Sequence, residues 1–196
     1  LTAKYRADGY VLSQAIIPPQ TIAGGVVHLH VVEGYISGVS LEGDTADRRG
    51  LIRRMAEKIT KSRPLRASDL ERYVLLIGDL PGVTVNTVVK PGTTPGAANL
   101  CVVLHRAPLS GSASADDRGS IAIGAEHFSG AIEANSLLGL NEQTGLQLAT
   151  VPRTRQLFYY AFHHDETLTS EGLKLSLSAS NSRSHPGGAI AVLDPL

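Results

Sequence analysis

The stretch LLIGDLPGVTVNTVVKPGTTPG, residues 75–96, changes periodicity within a few residues. Before it, Leu70, Val74 and Ile77 recur at helical spacing until Gly78 ends the run. After it, Val83, Val85, Thr87 and Val89 alternate with Thr84, Asn86, Val88 and Lys90 at a period of two. Asp79-Leu80-Pro81-Gly82 lies between them and has the composition of a tight turn. The reading is a helix that stops and a strand that starts at once. The strand is fenced by Pro-Gly on both sides, and its Thr and Asn suit a strand kept soluble while unpaired.

Working outward, Ser68-Asp69-Leu70-Glu71 reads as a capping box that opens this helix. Pro64 separates it from an earlier helix over 49–61, where Leu51, Ile52, Met55, Ala56 and Ile59 share one face. Arg48, Arg49, Arg53, Arg54, Lys58 and Lys61 lie largely off that face and form a solvated basic side. Strands are expected at 35–41, 83–90 and 99–106, giving the order β-α-α-β-β. Residues 1–33 read as a helix end capped at Gly9, then strands at 10–17 and 26–33, so they resemble the second half of the same unit.

The chain has 196 residues, enough for one or two domains. Eighteen Lys and Arg balance eighteen Asp and Glu, so no overall field points to nucleic acid. The single cysteine, Cys101, excludes an intrachain disulfide and sits in a strand pattern that reads as core. Leu1 starts inside a helical pattern, which predicts a segment of a longer protein.

From residue 109 the style changes. Leu173, Leu175, Leu177 and Ala179 alternate with Lys174, Ser176, Ser178 and Ser180, and Leu109 to Asp116 alternates similarly. Aromatic-rich 156–164 and 145–151 add further strands. Alternating segments of about ten residues between polar turns fit a transmembrane β-barrel, and a soluble sandwich gives the same pattern. Asp116-Asp117 and Asp165-Glu166 are read as turn carboxylates. His28 and His30 share a strand face, whereas His163 and His164 point to opposite faces. No nucleophile elbow, phosphate loop, dinucleotide fingerprint or zinc-protease motif is present in the sequence.

Several of these segments resemble the two-partner secretion transporters, the TpsB or hemolysin-activator type of the Omp85 superfamily. The resemblance rests on Tyr5, Arg6, Gly9, Tyr10, Pro19, Gln20 and Val32-Glu33-Gly34 in one motif. It continues through Asp79, Leu80, Pro81 and Gly82, then Pro91 to Thr93, with Gly78 where Asn is usual. Asp116, Arg118 and Gly119 in DDRGS resemble the start of the family's barrel, with Asp117 as a departure, and NSLLGLNEQTGLQL resembles a turn leading into another of its strands.

The resemblance implies an α+β fold of POTRA domains followed by antiparallel strands of a partial outer-membrane β-barrel. It divides the chain into the C-terminal half of a first POTRA domain (1–34), a second (35–107) and the first barrel strands (108–196). In the family, a sixteen-stranded barrel follows two periplasmic POTRA domains. The implied partners are an unfolded secreted exoprotein and outer-membrane lipid. No nucleic acid, cofactor, metal or catalytic residue is implied. The strand after the two helices lies at a sheet edge in a POTRA domain, which assigns Val83, Thr84, Val85, Asn86, Thr87, Val88, Val89 and Lys90 to client binding by strand addition. Two alternatives remain at this point: an Omp85-type assembly factor, and a soluble periplasmic β-rich binding protein or metalloenzyme using His163 and His164.

Overall fold

The chain opens on helix α1, Thr2–Ala7. Gly9 takes φ +90° just past its end, a left-handed step that costs a residue without Cβ little. Strands β1 (Gln14–Ile16) and β2 (His30–Val32) then pair antiparallel as a small two-stranded sheet. They are shorter than the expected spans at 10–17 and 26–33. Pro18 and Pro19 offer no backbone donor, and beyond β1 the side chain of Gln20 occupies the backbone of His28. The structure, a computed structural model, describes residues 1–22, 24–120 and 122–187.

The next elements are β3 (Tyr35–Gly43), α2 (Leu51–Ile59), α3 (Ala67–Gly78), β4 (Val83–Pro91) and β5 (Ala97–Arg106). They occur in the expected β-α-α-β-β order. The five apolar residues predicted for the first helix are the ones α2 buries. Gly50, its N-cap, offers no side chain; Asp47 instead accepts from the N–H of Ile52 at 2.7 Å and of Arg49 at 3.2 Å. Ile36, Met55, Ile59, Leu65, Ile77, Leu100, Val102 and Leu104 form the centre of the core, each fully buried. Burying an aliphatic side chain of this size contributes about 1.5–3 kcal/mol.

The capping box is a correction. Helix α3 starts at Ala67, with Arg66 as N-cap and no side-chain cap bond. The Ser62–Leu65 turn brings the Ser62 hydroxyl to the helix start instead. That hydroxyl accepts from the Arg66 N–H at 3.1 Å and donates to Asp69 Oδ2 at 2.6 Å. Ser68 is left exposed.

The three-stranded sheet has the order β3-β5-β4, with β3 parallel and β4 antiparallel to the central β5. Ala98, Leu100, Val102 and Leu104 of β5 face the helices and are buried. Cys101, on the opposite face between its register partners Ser40 and Val88, is also buried.

By contact the chain divides into two compact units. One comprises Leu1–Arg106 with Thr169–Gly172, the other Ala107–Leu168 with Leu173–Leu196. The second unit is a meander of β6 (Leu109–Asp116), β7 (His127–Asn135), β8 (Glu142–Thr150), β9 (Leu157–Thr167) and β10 (Lys174–Ser184). Each strand pairs antiparallel with the next, leaving β6 and β10 as the edges among the described residues. One face exposes Phe128, Ile132, Leu146, Leu148, Tyr160, Phe162 and Leu177. The other carries Ser112, Ser114, Glu133, Gln143, His163 and Ser178, placed there by the ladder register.

Asp165 and Glu166 lie within β9, opposite Gln143 and Glu142, and not in a turn as expected. Strand pairing continues past the aromatic run because β8 begins as early as Glu142. The short β7–β8 turn is organised by that residue. The Glu142 carboxylate, 3% exposed as a residue, accepts from the N–H groups of Leu138 and Leu140 at 2.7 and 2.9 Å. No helix is long and apolar enough to cross a membrane, a test that does not address strands.

Candidate functional site

The corner that ends α3 sets up the candidate site. The Asp79 N–H donates to Leu75 O at 2.8 Å, and Leu80, only 2% exposed, is held in the core. Gly82 adopts φ +67°, and the Val83 N–H returns to Leu80 O at 3.1 Å. Pro81 fixes the entry to that turn. The motif Asp79 to Gly82 thus converts a packed helix end into a strand start in four residues.

Strand β4 then runs antiparallel to β5 from Val83 opposite Arg106 to Pro91 opposite Ala98. Val83 is buried and Val85 packs against the core, so the odd-numbered face meets the helices. Cover ends there. From Asn86 to Pro91 every residue is exposed, on both faces of the strand. Val88 and Val89, adjacent and therefore on opposite faces, are 47% and 42% exposed.

Among the described strands, β4 has a hydrogen-bonded neighbour on one side only. In an antiparallel ladder alternate residues direct N–H and C=O to the partner, so the other set points outward. That free edge is polar and extended, a template for another strand.

Strand β3 is a second edge that the sequence did not suggest. It differs in two ways. A register shift between Ile36 and Gly38 interrupts its ladder, and it is parallel to β5. A bulge breaks the regular spacing that an added strand would need.

The other motif residues are dispersed, and most have structural jobs. The Gly9 carbonyl accepts from the Ala67 N–H at 2.8 Å, anchoring the start of α3. Tyr10 stacks edge-on with Tyr5 at 5.9 Å, under the Arg66 guanidinium. Pro19 precedes Gln20, whose amide is bonded to His28. Glu33 is exposed, while Gly34 is buried against Leu12, where an added Cβ would overlap the Leu12 backbone. In the second unit Asp116 ends β6 and accepts from the Arg118 N–H at 3.1 Å, and Gly119 donates to Ala125 O at 2.9 Å. Only Asp79 to Gly82 adjoin the edge.

The histidines do not assemble. His28 is exposed, with its backbone held by Gln20, and His30 pairs with Ile16. His163 lies over Gly145, whereas His164 accepts from or donates to Thr144 Oγ1 at 2.8 Å on the other face. Among the described residues no group of three His, Cys, Asp or Glu is placed to hold a metal ion.

Residues 1–34 match the POTRA domain family of the ShlB type. Over 146 residues the chain is 27% identical to the heme/hemopexin transporter protein HuxB of Haemophilus influenzae, covering 74% of this chain and 26% of that protein. Over 141 residues it is 29% identical to the outer membrane transporter CdiB of Escherichia coli, covering 71% and 24%. Both relatives are transporters by name. The chain is similar to both of these transporters.

A solved structure of CdiB from Escherichia coli superposes with a TM-score of 0.59 at 21% identity, over 91% of this chain and 37% of that one. At that identity the match establishes the fold: a POTRA-like α+β unit and antiparallel strands, as expected. The chain spans about a quarter of the length of the transporter relatives it matches.

Proposed function

We propose that this chain belongs to an outer-membrane transporter of a Gram-negative bacterium that secretes a partner exoprotein. Residues 1–34 would complete a first POTRA domain, 35–107 form a second, and 108–196 begin the barrel. The POTRA domains would stand in the periplasm and catch the exoprotein while it is unfolded. Relatedness to TpsB transporters supports the transport reading.

The observation that carries the capture step is the uncovered half of β4. An extended client strand added along Asn86 to Lys90 would satisfy outward backbone groups and cover Val88 and Val89 from the side. Main-chain bonding is insensitive to sequence, which suits a carrier of long, varied clients. Each bond nets about 0.5–1.5 kcal/mol, so a short ladder forms and breaks readily.

The test is Thr87→Pro in the intact transporter. Proline at this position cannot donate and its ring obstructs an approaching strand. Binding of an unfolded fragment of the secreted partner is expected to weaken about tenfold, the equivalent of one lost ladder bond. A circular-dichroism melt and core amide exchange check that the sheet persists. Unchanged affinity in a folded variant overturns the assignment to β4.

A further inference from the structure

The second unit carries a cavity of about 600 Å³ at one end of its sheet, lined by Thr154, Arg155, Phe158, Arg183 and His185. Three of the five lining residues are basic and none is acidic. Among the described residues no carboxylate forms an ion pair with Arg155 or Arg183. Two guanidiniums, each a planar fork of donors, therefore converge without a counter-ion among the described residues. The His185 N–H donates to Gln156 O at 3.1 Å, tying the two lining segments together.

What adjoins the cations narrows the ligand. Arg183 and Phe158 are register partners, so they share a face of the sheet. Along that face Asn181 stands opposite Tyr160 and Ala179 opposite Phe162, followed by Leu177 and Leu175. The Phe158 and Tyr160 rings lie 6.1 Å apart. A run of exposed aromatic and aliphatic side chains thus ends at a cationic rim. In a membrane barrel such an order marks the passage from acyl chains to headgroups, because charge is tolerated near the interface and not at mid-depth.

We propose that Arg155, Arg183 and His185 bind the phosphate of an anionic membrane lipid, with Thr154 as a further donor and the acyl chains along Phe158, Tyr160 and Phe162. This rests on the transporter reading, since it takes that face to be the lipid-facing one. A free phosphate would use the cations and leave the aromatic shelf idle; a phosphorylated lipid uses both. Arg–phosphate contacts here would be bidentate and charge-assisted.

The intact protein is reconstituted in phosphatidylcholine nanodiscs, and retained lipid is counted by native mass spectrometry. The probes are bis-phosphorylated lipid A, the same lipid with both phosphates removed, and inorganic phosphate. Retention of the phosphorylated lipid is expected to exceed that of the dephosphorylated one by about tenfold. The double variant Arg155→Ser/Arg183→Ser should abolish the difference. Arg155→Lys/Arg183→Lys, which keeps charge without the fork, should retain part of it and guards against a folding artefact. Equal retention of both lipids overturns the proposal, and so does full displacement by inorganic phosphate at matched concentration. Failure to insert into the bilayer overturns the transporter reading along with it, whereas insertion without discrimination overturns the lipid site alone.

Discussion

The side chain of Gln20 is hydrogen-bonded to both backbone groups of His28. Its Nε2 donates to the His28 carbonyl at 2.8 Å, and its Oε1 accepts from the His28 N–H at 2.7 Å. A side-chain amide thereby continues the β1–β2 ladder where Pro18 and Pro19 cannot. Gln20→Ala removes both bonds, each contributing about 0.5–1.5 kcal/mol at most at this exposed position. Faster hydrogen exchange at the His28 amide, with the core around Met55 unaffected, is the expected result.

Val83 and Val89 lie on the same face of β4, yet they should behave differently. Val83 is buried in the core, so Val83→Ala should lower stability by about 1–3 kcal/mol in a denaturant melt. Val89 is 42% exposed, and Val89→Ala should stay within about 0.5 kcal/mol. If β4 receives a client, the second substitution should nevertheless weaken client binding; equal stability losses would show that the strand is covered along its length.

Leu80 is the anchor of the Asp79–Gly82 corner at 2% exposure. Leu80→Ala leaves a cavity beneath the corner and should cost about 2–5 kcal/mol. Thermal unfolding of the first unit should move down by several degrees. A loss below about 1 kcal/mol would mean that the corner relaxes into the space.

The turn between β7 and β8 should depend on Glu142. Its buried carboxylate holds two backbone donors, and such charge-assisted bonds contribute about 1.5–3 kcal/mol each. Glu142→Ala should reduce the yield of refolded protein, and Glu142→Gln, which keeps one acceptor, should recover part of it. Gel mobility of unheated samples in mild detergent would report the folded fraction.

Gly145 has no room for a side chain, because a Cβ would overlap the His163 ring. Gly145→Val should displace His163 from the polar face, visible as a change in its ring NMR resonances. A spectrum like that of the parent protein would show that the ring is not confined there.

Much of the first unit was legible because its signals are periodic. All five apolar residues of α2 were read from spacing alone, and the β4 alternation gave its two faces. The choice of buried face required the helices in place. Ser62, in a turn folded back on α3, displaced the Ser68 capping box that local spacing suggested. Asp165 and Glu166 read as turn residues, yet pairing with Gln143 and Glu142 keeps them in strand. The second edge at β3 depends on strand order, which no local pattern encodes. The Gln20 clamp could have been sought from a glutamine following two prolines in a strand gap, although its partner eight residues on is set by the hairpin.

If β4 receives a client, its uncovered length also sets a clock. Asn86 to Pro91 is six residues, about 20 Å of extended chain. A ladder that short, binding at about millimolar strength with association near 10⁶ M⁻¹ s⁻¹, dissociates in about a millisecond. Dwell times on that scale would let successive client segments take turns on the same six residues. The length of uncovered strand would then govern how long each segment pauses.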